Sequence, residues 1–181
     1  MKAITKTILS ILLVCISTTT FANFVGAKVK VTGITCSMCS NSVHKALSSL
    51  SFIEKIDVDL ENAIFTLIFK QGEKVVIDEI KNKIEGAGFS VGELNADFKF
   101  SNVNVSKDYH YEFEGNTYHF VNVSDKTLDN TISIKFVDKG LISSKEYKKY
   151  VGLTSMKCIK TGKPDKCCPV SSTKRIYHVT I

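Results

Sequence analysis

The apolar positions of the chain follow two regimes. Between residues 27 and 95 they alternate at the period of a strand, then recur at the period of a helix, twice over. Ala27 to Val31 sets Val29 and Val31 against Lys28 and Lys30, the pattern of a half-buried strand. Gly33 breaks it. Thr35 or Ser37 then offers a capping side chain for a helix that carries Val43, Ala46, Leu47 and Leu50 on one face. Ile53 to Leu60 reads as a second strand, Glu61-Asn62 as a tight turn, and Ala63 to Phe69 as a third strand with Phe65, Leu67 and Phe69 in register. After Gln71-Gly72, Val76, Ile77, Ile80 and Ile84 mark a second amphipathic helix, which Gly86-Ala87-Gly88 ends. Phe89 to Leu94 is a fourth strand. The order βαββαβ is that of the ferredoxin-like split βαβ arrangement. Right-handed crossovers between parallel neighbours then place both helices on one face of a four-stranded sheet.

Residues 98–181 lack the helical period for most of their length. Phe98 to Val105, Tyr109 to Phe113, Thr117 to Val123 and Thr131 to Val137 are strand-like, separated by Ser106-Lys107-Asp108, Glu114-Gly115-Asn116 and Asp129-Asn130. Ser143 to Tyr150 fits a short helix. A coil rich in Lys, Gly, Pro and Cys follows, and Arg175 to Ile181 closes the chain as a strand. The expected class is therefore α+β: a ferredoxin-like domain at 27–95 and a smaller, mainly β domain at 98–181, joined by a short junction near Asn95–Asp97.

The first residues change the picture of where the protein works. Lys2 and Lys6 precede a nearly unbroken apolar run from Ile8 to Ile16, and Thr20-Phe21-Ala22 supplies small residues at the positions a signal peptidase reads. The run is too short to cross a bilayer comfortably. Residues 1–22 are thus expected to be a signal peptide, the mature protein periplasmic or secreted, with no stable membrane insertion after signal removal. The 44% hydrophobic and 23% charged content is that of a globular chain. Cleavage removes Lys2 and Lys6 and no acid, taking two of the six net positive charges. No basic stripe with interleaved aromatics remains, which argues against nucleic acid as a partner.

Cysteines carry the chemistry. Of six, Cys15 leaves with the signal, so five remain: Cys36 and Cys39, then Cys158, Cys167 and Cys168. An odd number cannot all pair within one chain, and export favours pairing. Cys36 and Cys39 bracket the start of the first helix, within Gly33-Ile34-Thr35-Cys36-Ser37-Met38-Cys39. The unpaired N–H groups of a helix start carry partial positive charge, which favours thiolates. Thiolates select soft ions: Cu(I), and also Zn(II), Cd(II) or Hg(II). Two sulfurs without a third ligand suit Cu(I), whereas Zn(II) normally takes four. His44 lies about 140° around the helix from Cys39 and is expected to face solvent.

This segment resembles the heavy-metal-associated domain family of copper chaperones, copper-transporting ATPases and the periplasmic mercury-binding protein. The resemblance covers about residues 27–95. It rests on the motif above, on Ser42-Val43-His44-Lys45-Ala46-Leu47, on Val58-Asp59-Leu60 with Ala63, and on Ile84-Glu85-Gly86-Ala87-Gly88-Phe89. It implies that Cys36 and Cys39 hold the metal and pass it to a copper transporter or another metal-handling protein. It also implies that Phe89 shields the loop. Ile34 stands where the family usually has a core-plugging Met, and is close enough in size to keep the packing. Met38 is a further soft donor between the two thiols.

Other readings stay open. The same Cys-x-x-Cys serves thiol–disulfide redox proteins, although no Trp precedes it and no Pro occurs before Pro164 to act as the cis-Pro of a thioredoxin-like site. A structural Cys36–Cys39 disulfide is the bland alternative. Cys158, Cys167 and Cys168 suggest a disulfide from Cys158 to Cys167 or Cys168, or a second metal site with His119 or His178. His110 and His119 can oppose across a hairpin as a metal pair. No nucleophile elbow, phosphate loop or His-Glu-x-x-His is present, so a binding protein rather than an enzyme is expected.

Overall fold

The computed structural model of the protein describes residues 23–166, 168 and 175–181. The expected signal peptide and Cys167 lie outside the described residues. Among the described residues, eight strands and four helices follow in the order β1 (Asn23–Thr32), α1 (Ser37–Ser48), β2 (Ile53–Asp59), β3 (Ile64–Phe69), α2 (Ile77–Gly86), β4 (Ser90–Val105), β5 (His110–Phe113), β6 (Asn116–Phe120), β7 (Lys126–Phe136), α3 (Ser144–Val151), α4 (Cys158–Thr161) and β8 (Ile176–Thr180). All eight strands belong to one sheet in the order β2-β3-β1-β4-β7-β8-β6-β5.

The first half has the expected element order. The strands β2, β3, β1 and β4 pair antiparallel throughout, so the parallel strands β1 and β2 are not neighbours as expected: β3 lies between them. The helices α1 and α2 contact each other. Val43 and Leu47 of α1 and Ile77, Ile80 and Ile84 of α2 are fully buried. Each such side chain contributes roughly 1.5–3 kcal/mol by leaving water. Gly26 allows β1 to approach β3, since a Cβ there would lie 2.6 Å from the Leu67 carbonyl oxygen.

The main departure concerns the junction. Asn95–Asp97 lie in the middle of β4, a strand of 16 residues that serves both halves. Ala96 pairs with Ala27 of β1 on one side and Ile134 of β7 on the other. Asn95 and Asp97 alternate with the buried Leu94, Ala96 and Phe98. Their polarity marks one face of a strand, not the end of one, and the sheet has no break there. The expected hairpin is present as β5–β6, and α3 and β8 lie where a helix and a strand were expected, but β7 begins at Lys126, so Asp129-Asn130, read as a turn, lie within a strand, where Asn130 takes a positive φ of 63. The short α4 falls in the stretch read as coil.

The second half of the sheet rolls back on itself. β5 is four positions from β4 in hydrogen-bonding order, yet its Phe113 ring lies 4.9 Å from that of Phe98 on β4 and 6.3 Å from that of Phe24 on β1. A single cluster of buried residues therefore runs from Val43 and Leu47 through Phe98 to Phe120, Phe136 and Tyr177. Among the described residues, no helix is long and apolar enough to cross a membrane.

Candidate metal centre

The loop that carries Cys36 and Cys39 is held from below. Gly33 turns the chain out of β1 at φ +93, a conformation that side chains other than glycine rarely adopt. Its Cβ position would meet Phe89 at 3.7 Å, so Phe89 does lie beside the loop. Ile34 is half-buried and packs against the core, as expected of a plug.

Neither Thr35 nor Ser37 caps α1. The cap is Cys36 itself, in extended conformation at φ −151 and ψ 160. Its Sγ accepts the Cys39 N–H at 3.3 Å, and its carbonyl oxygen accepts the Ser40 N–H at 3.2 Å. The first thiol thus stands at the helix N-terminus, in the field of its unpaired N–H groups. No acid in the first turn of α1 opposes that field. Cys39 sits within the same turn, and the two Sγ atoms are 2.6 Å apart. The hydrogen bond with Cys36 is the main influence that holds Cys39 below the ordinary thiol range; loss of hydration opposes it, and hydrogen bonds with Thr35 assist. Cys36 is exposed and Cys39 half-buried. The arrangement offers two convergent sulfurs to a soft ion, or to each other in a disulfide.

The other residues singled out from the sequence fall as follows. Met38 is 80% exposed and belongs to no core. His44 is engaged along its own helix, with Ser48 Oγ 3.4 Å from its Nδ1 and donating to its carbonyl oxygen at 2.8 Å. Among the described residues, no His, Cys, Asp or Glu joins Cys36 and Cys39 to make a group of three. His110 and His119 do oppose across the β5–β6 hairpin, with rings stacked at 4.4 Å. Cys158 is buried in α4 with its Sγ 3.4 Å from His178 Nε2 and 3.7 Å from His119 Nδ1. Cys168 is half-buried in the loop after α4. Burial above all, then the neighbouring His178 and His110, push His119 down to about 4 against the pull of Asp108.

One signal for the second grouping was present in the sequence. A Tyr-His or His-Tyr pair occurs in each of β5, β6 and β8, at His110-Tyr111, Tyr118-His119 and Tyr177-His178. In the sheet, Tyr118 pairs with both Tyr111 and Tyr177, and His119 with both His110 and His178. One face therefore carries a row of phenols and the other a row of imidazoles.

Comparison with known proteins places the loop in context. The family model of the heavy-metal-associated domain matches residues 28–90. The copper chaperone CopZ of Staphylococcus aureus (strain JH9) is 31% identical over 61 residues, which cover 34% of this chain and 88% of the chaperone. Copper-transporting ATPase 1 of Mus musculus is 36% identical over 62 residues, again 34% of this chain but 4% of the ATPase. The chain thus spans only a small fraction of the ATPases it matches. Among solved structures, a CopZ metallochaperone has 27% identity and a TM-score of 0.33, covering 39% of this chain and 98% of the chaperone.

Proposed function

Because the chain belongs to the heavy-metal-associated domain family, we propose that it is an exported protein that takes up one Cu(I) ion as cargo between Cys36 and Cys39 and hands it on by thiolate exchange. The observation that carries this reading is the pair of convergent sulfurs at an uncontested helix start. Two thiolates form a soft donor set. With no third His, Cys, Asp or Glu grouped beside them among the described residues, they favour an ion that accepts low coordination over Zn(II), which takes four ligands. The copper names of the relatives support the same ion. Hg(II) is the next candidate by softness.

The transfer step follows from exposure. Metal–sulfur bonds of about 2.3 Å keep two ligand sulfurs further apart than 2.6 Å, so loading parts the two thiols. A loop at the surface permits this, while Ile34 and Phe89 keep its base on the core. The incoming thiolate of a partner forms a new Cu–S bond, giving a three-coordinate intermediate. One Cu–S bond to Cys36 or Cys39 then breaks, and the ion leaves without change of oxidation state. The partner is a copper transporter or another metal-handling protein. Export rests on residues 1–22, and the periplasm or the extracellular space is the expected place of work.

The test is an anaerobic titration of the reduced protein with Cu(I) against a competing chelator. One tightly held Cu(I), lost in the Cys36→Ser chain, is the expected outcome. Turnover in an insulin-reduction assay, with Cu(I) affinity unchanged by Cys36→Ser, would replace this reading with a thiol–disulfide redox function. Fractionation of cells expressing the full chain tests export, with shortened protein expected outside the cytoplasm.

A further inference from the structure

Three imidazoles and a thiol meet away from the Cys36 loop in sequence and in strand order. His110, His119 and His178 lie in register on the adjacent strands β5, β6 and β8. Cys158 comes from α4. The ligand atoms of His110, His119 and Cys158 lie within 4.8 Å of one another. The Cys158 sulfur also meets His178 Nε2 at 3.4 Å, from the next strand. Cys158, His119 and His178 have no exposed surface.

The hydrogen bonds around this group fix its protons. His119 Nε2 lies 3.0 Å from Asp108 Oδ1, and His110 Nδ1 lies 2.9 Å from the Asp108 carbonyl oxygen. His178 Nδ1 lies 2.9 Å from Asp138 Oδ1. That oxygen also accepts from Arg175, and Asp138 Oδ2 accepts the His178 backbone N–H at 2.8 Å. A carbonyl or carboxylate oxygen only accepts. Each neutral ring therefore spends its one N–H on an outer oxygen, and its other nitrogen keeps a lone pair. For His119 and His178 those lone pairs face the thiol. For His110, Nε2 is buried with no hydrogen-bond partner among the described residues. Among the described residues, three lone pairs thus gather around a single thiol. A packed polar network avoids such a shortage of donors. A cation supplies what is missing.

We infer that Cys158, His119 and His110, with His178 closing from beyond the thiol, form a second metal site, buried and built for Zn(II). The donor set is borderline rather than soft: imidazole suits Zn(II), and four N/S donors match its tetrahedral habit. Around a tetrahedral Zn(II), with Zn–N of about 2.0–2.1 Å and Zn–S of about 2.3 Å, an N and an S ligand lie about 3.6 Å apart. The two observed S···N separations, 3.7 and 3.4 Å, bracket that value. Outer oxygens that orient each ring through its remote N–H are the usual support of metal-bound histidine. Access is from the sheet edge, where His110 is only half-buried and the Asp108 side chain is 22% exposed. The order Cys158, His178, Asp138 also resembles a nucleophile with its base and orienting acid. A thiol and an imidazole without exposed surface meet no substrate, and a metal site needs none.

The experiment uses the mature chain carrying Cys36→Ser and Cys39→Ser, so that the loop contributes nothing and failure of the Cu(I) reading leaves this test unaffected. The reduced, metal-free protein is titrated with Co(II) and then with Zn(II). One Co(II) with a thiolate-to-metal charge-transfer band and tetrahedral visible bands is expected, displaced by Zn(II). Adding Cys158→Ser should abolish the charge-transfer band and weaken Zn(II) by more than the ~100-fold that loss of a supporting contact costs. Far-UV circular dichroism checks that each variant folds. If the Cys158→Ser chain does not, His110→Gln, at the open edge of the site, decides: Zn(II) affinity is expected to fall at least tenfold with the charge-transfer band retained. Absence of the band from the starting chain, Zn(II) affinity unmoved by Cys158→Ser or by the deciding His110→Gln, or tight binding of Cu(I) alone would each overturn the site.

Discussion

The two sulfur sites of this chain differ in almost every physical respect. Cys36 and Cys39 lie at the surface where a loop enters a helix, one of them capping that helix, with Ile34 and Phe89 packed against the core beneath. At Cys158 one thiol is walled in by imidazoles whose outer nitrogens are tied to Asp108 and Asp138. The first arrangement lets an incoming ligand reach the ion and lets the donors move apart. The second fixes the donors before any ion arrives. Exposure favours exchange, and burial favours retention, because an ion held in the interior is coupled to folding itself. Two sites of one protein can thus serve opposite ends with overlapping chemistry.

The comparison can be broken most forcefully through the core both sites share. Phe98→Ala should destabilise the protein by about 3–5 kcal/mol, because Phe98 contacts Phe24 of β1 and Phe113 of β5. Denaturation followed by circular dichroism and by thiol accessibility at Cys158 should give one transition. Two transitions would mean that the sites belong to separate folding units. Next in size, Cys36→Ser should reduce Cu(I) affinity by more than about 100-fold. As a change at an exposed residue it should move stability by no more than roughly 0.5 kcal/mol. Competition titration and urea melts check the two halves of that statement.

Acid should separate the sites further. His119 is held near 4 in the folded protein, below the ~6.5 of an unfolded histidine. As pH falls through that window the unfolded chain takes up a proton that the folded chain refuses. The metal-free protein should therefore keep its full stability above about pH 6.5 and lose it progressively towards pH 4. Urea melts across this range should show a slope that His119→Gln flattens and Cys36→Ser leaves in place. The smallest effect is expected at Lys135, which joins Glu93 of β4 to Glu146 of α3 at 2.9 Å each. Its partners are partly exposed, so Lys135→Met should cost under about 1 kcal/mol and leave both metal affinities alone.

Much of this was legible in the chain, and the exceptions have physical reasons. Residues 27–95 announce themselves because each period change coincides with a turn signal, such as Gly33 or Gly86-Ala87-Gly88. The continuity of β4 was hidden because Asn95 and Asp97 look like loop residues until their partners Lys28 and Ser133 on either side are known. Cys36 as a cap was missed because Thr35 and Ser37 flank it and are the commoner choice. Local opposition brought His110 and His119 together on paper, since a hairpin is a short-range event. His178 joins them only because β8 inserts between β7 and β6, parallel to β6. Pairing between strands so distant in sequence leaves no mark on either. Cys158 arrives by an equally remote contact.

The unbroken run of β4 has a practical consequence for anyone wishing to work with the first half by itself. A fragment ending at Asn95 would strip Phe24 of its neighbour Phe98 and leave the start of β1 without the strand that pairs with it through Lys99. The margin of β1 from Asn23 to Ala27, which normally pairs with residues 96–99, would be bared, open to any other extended chain. Such a truncated piece would be prone to clump, and its poor behaviour in solution would say nothing about the Cys36 loop it carries.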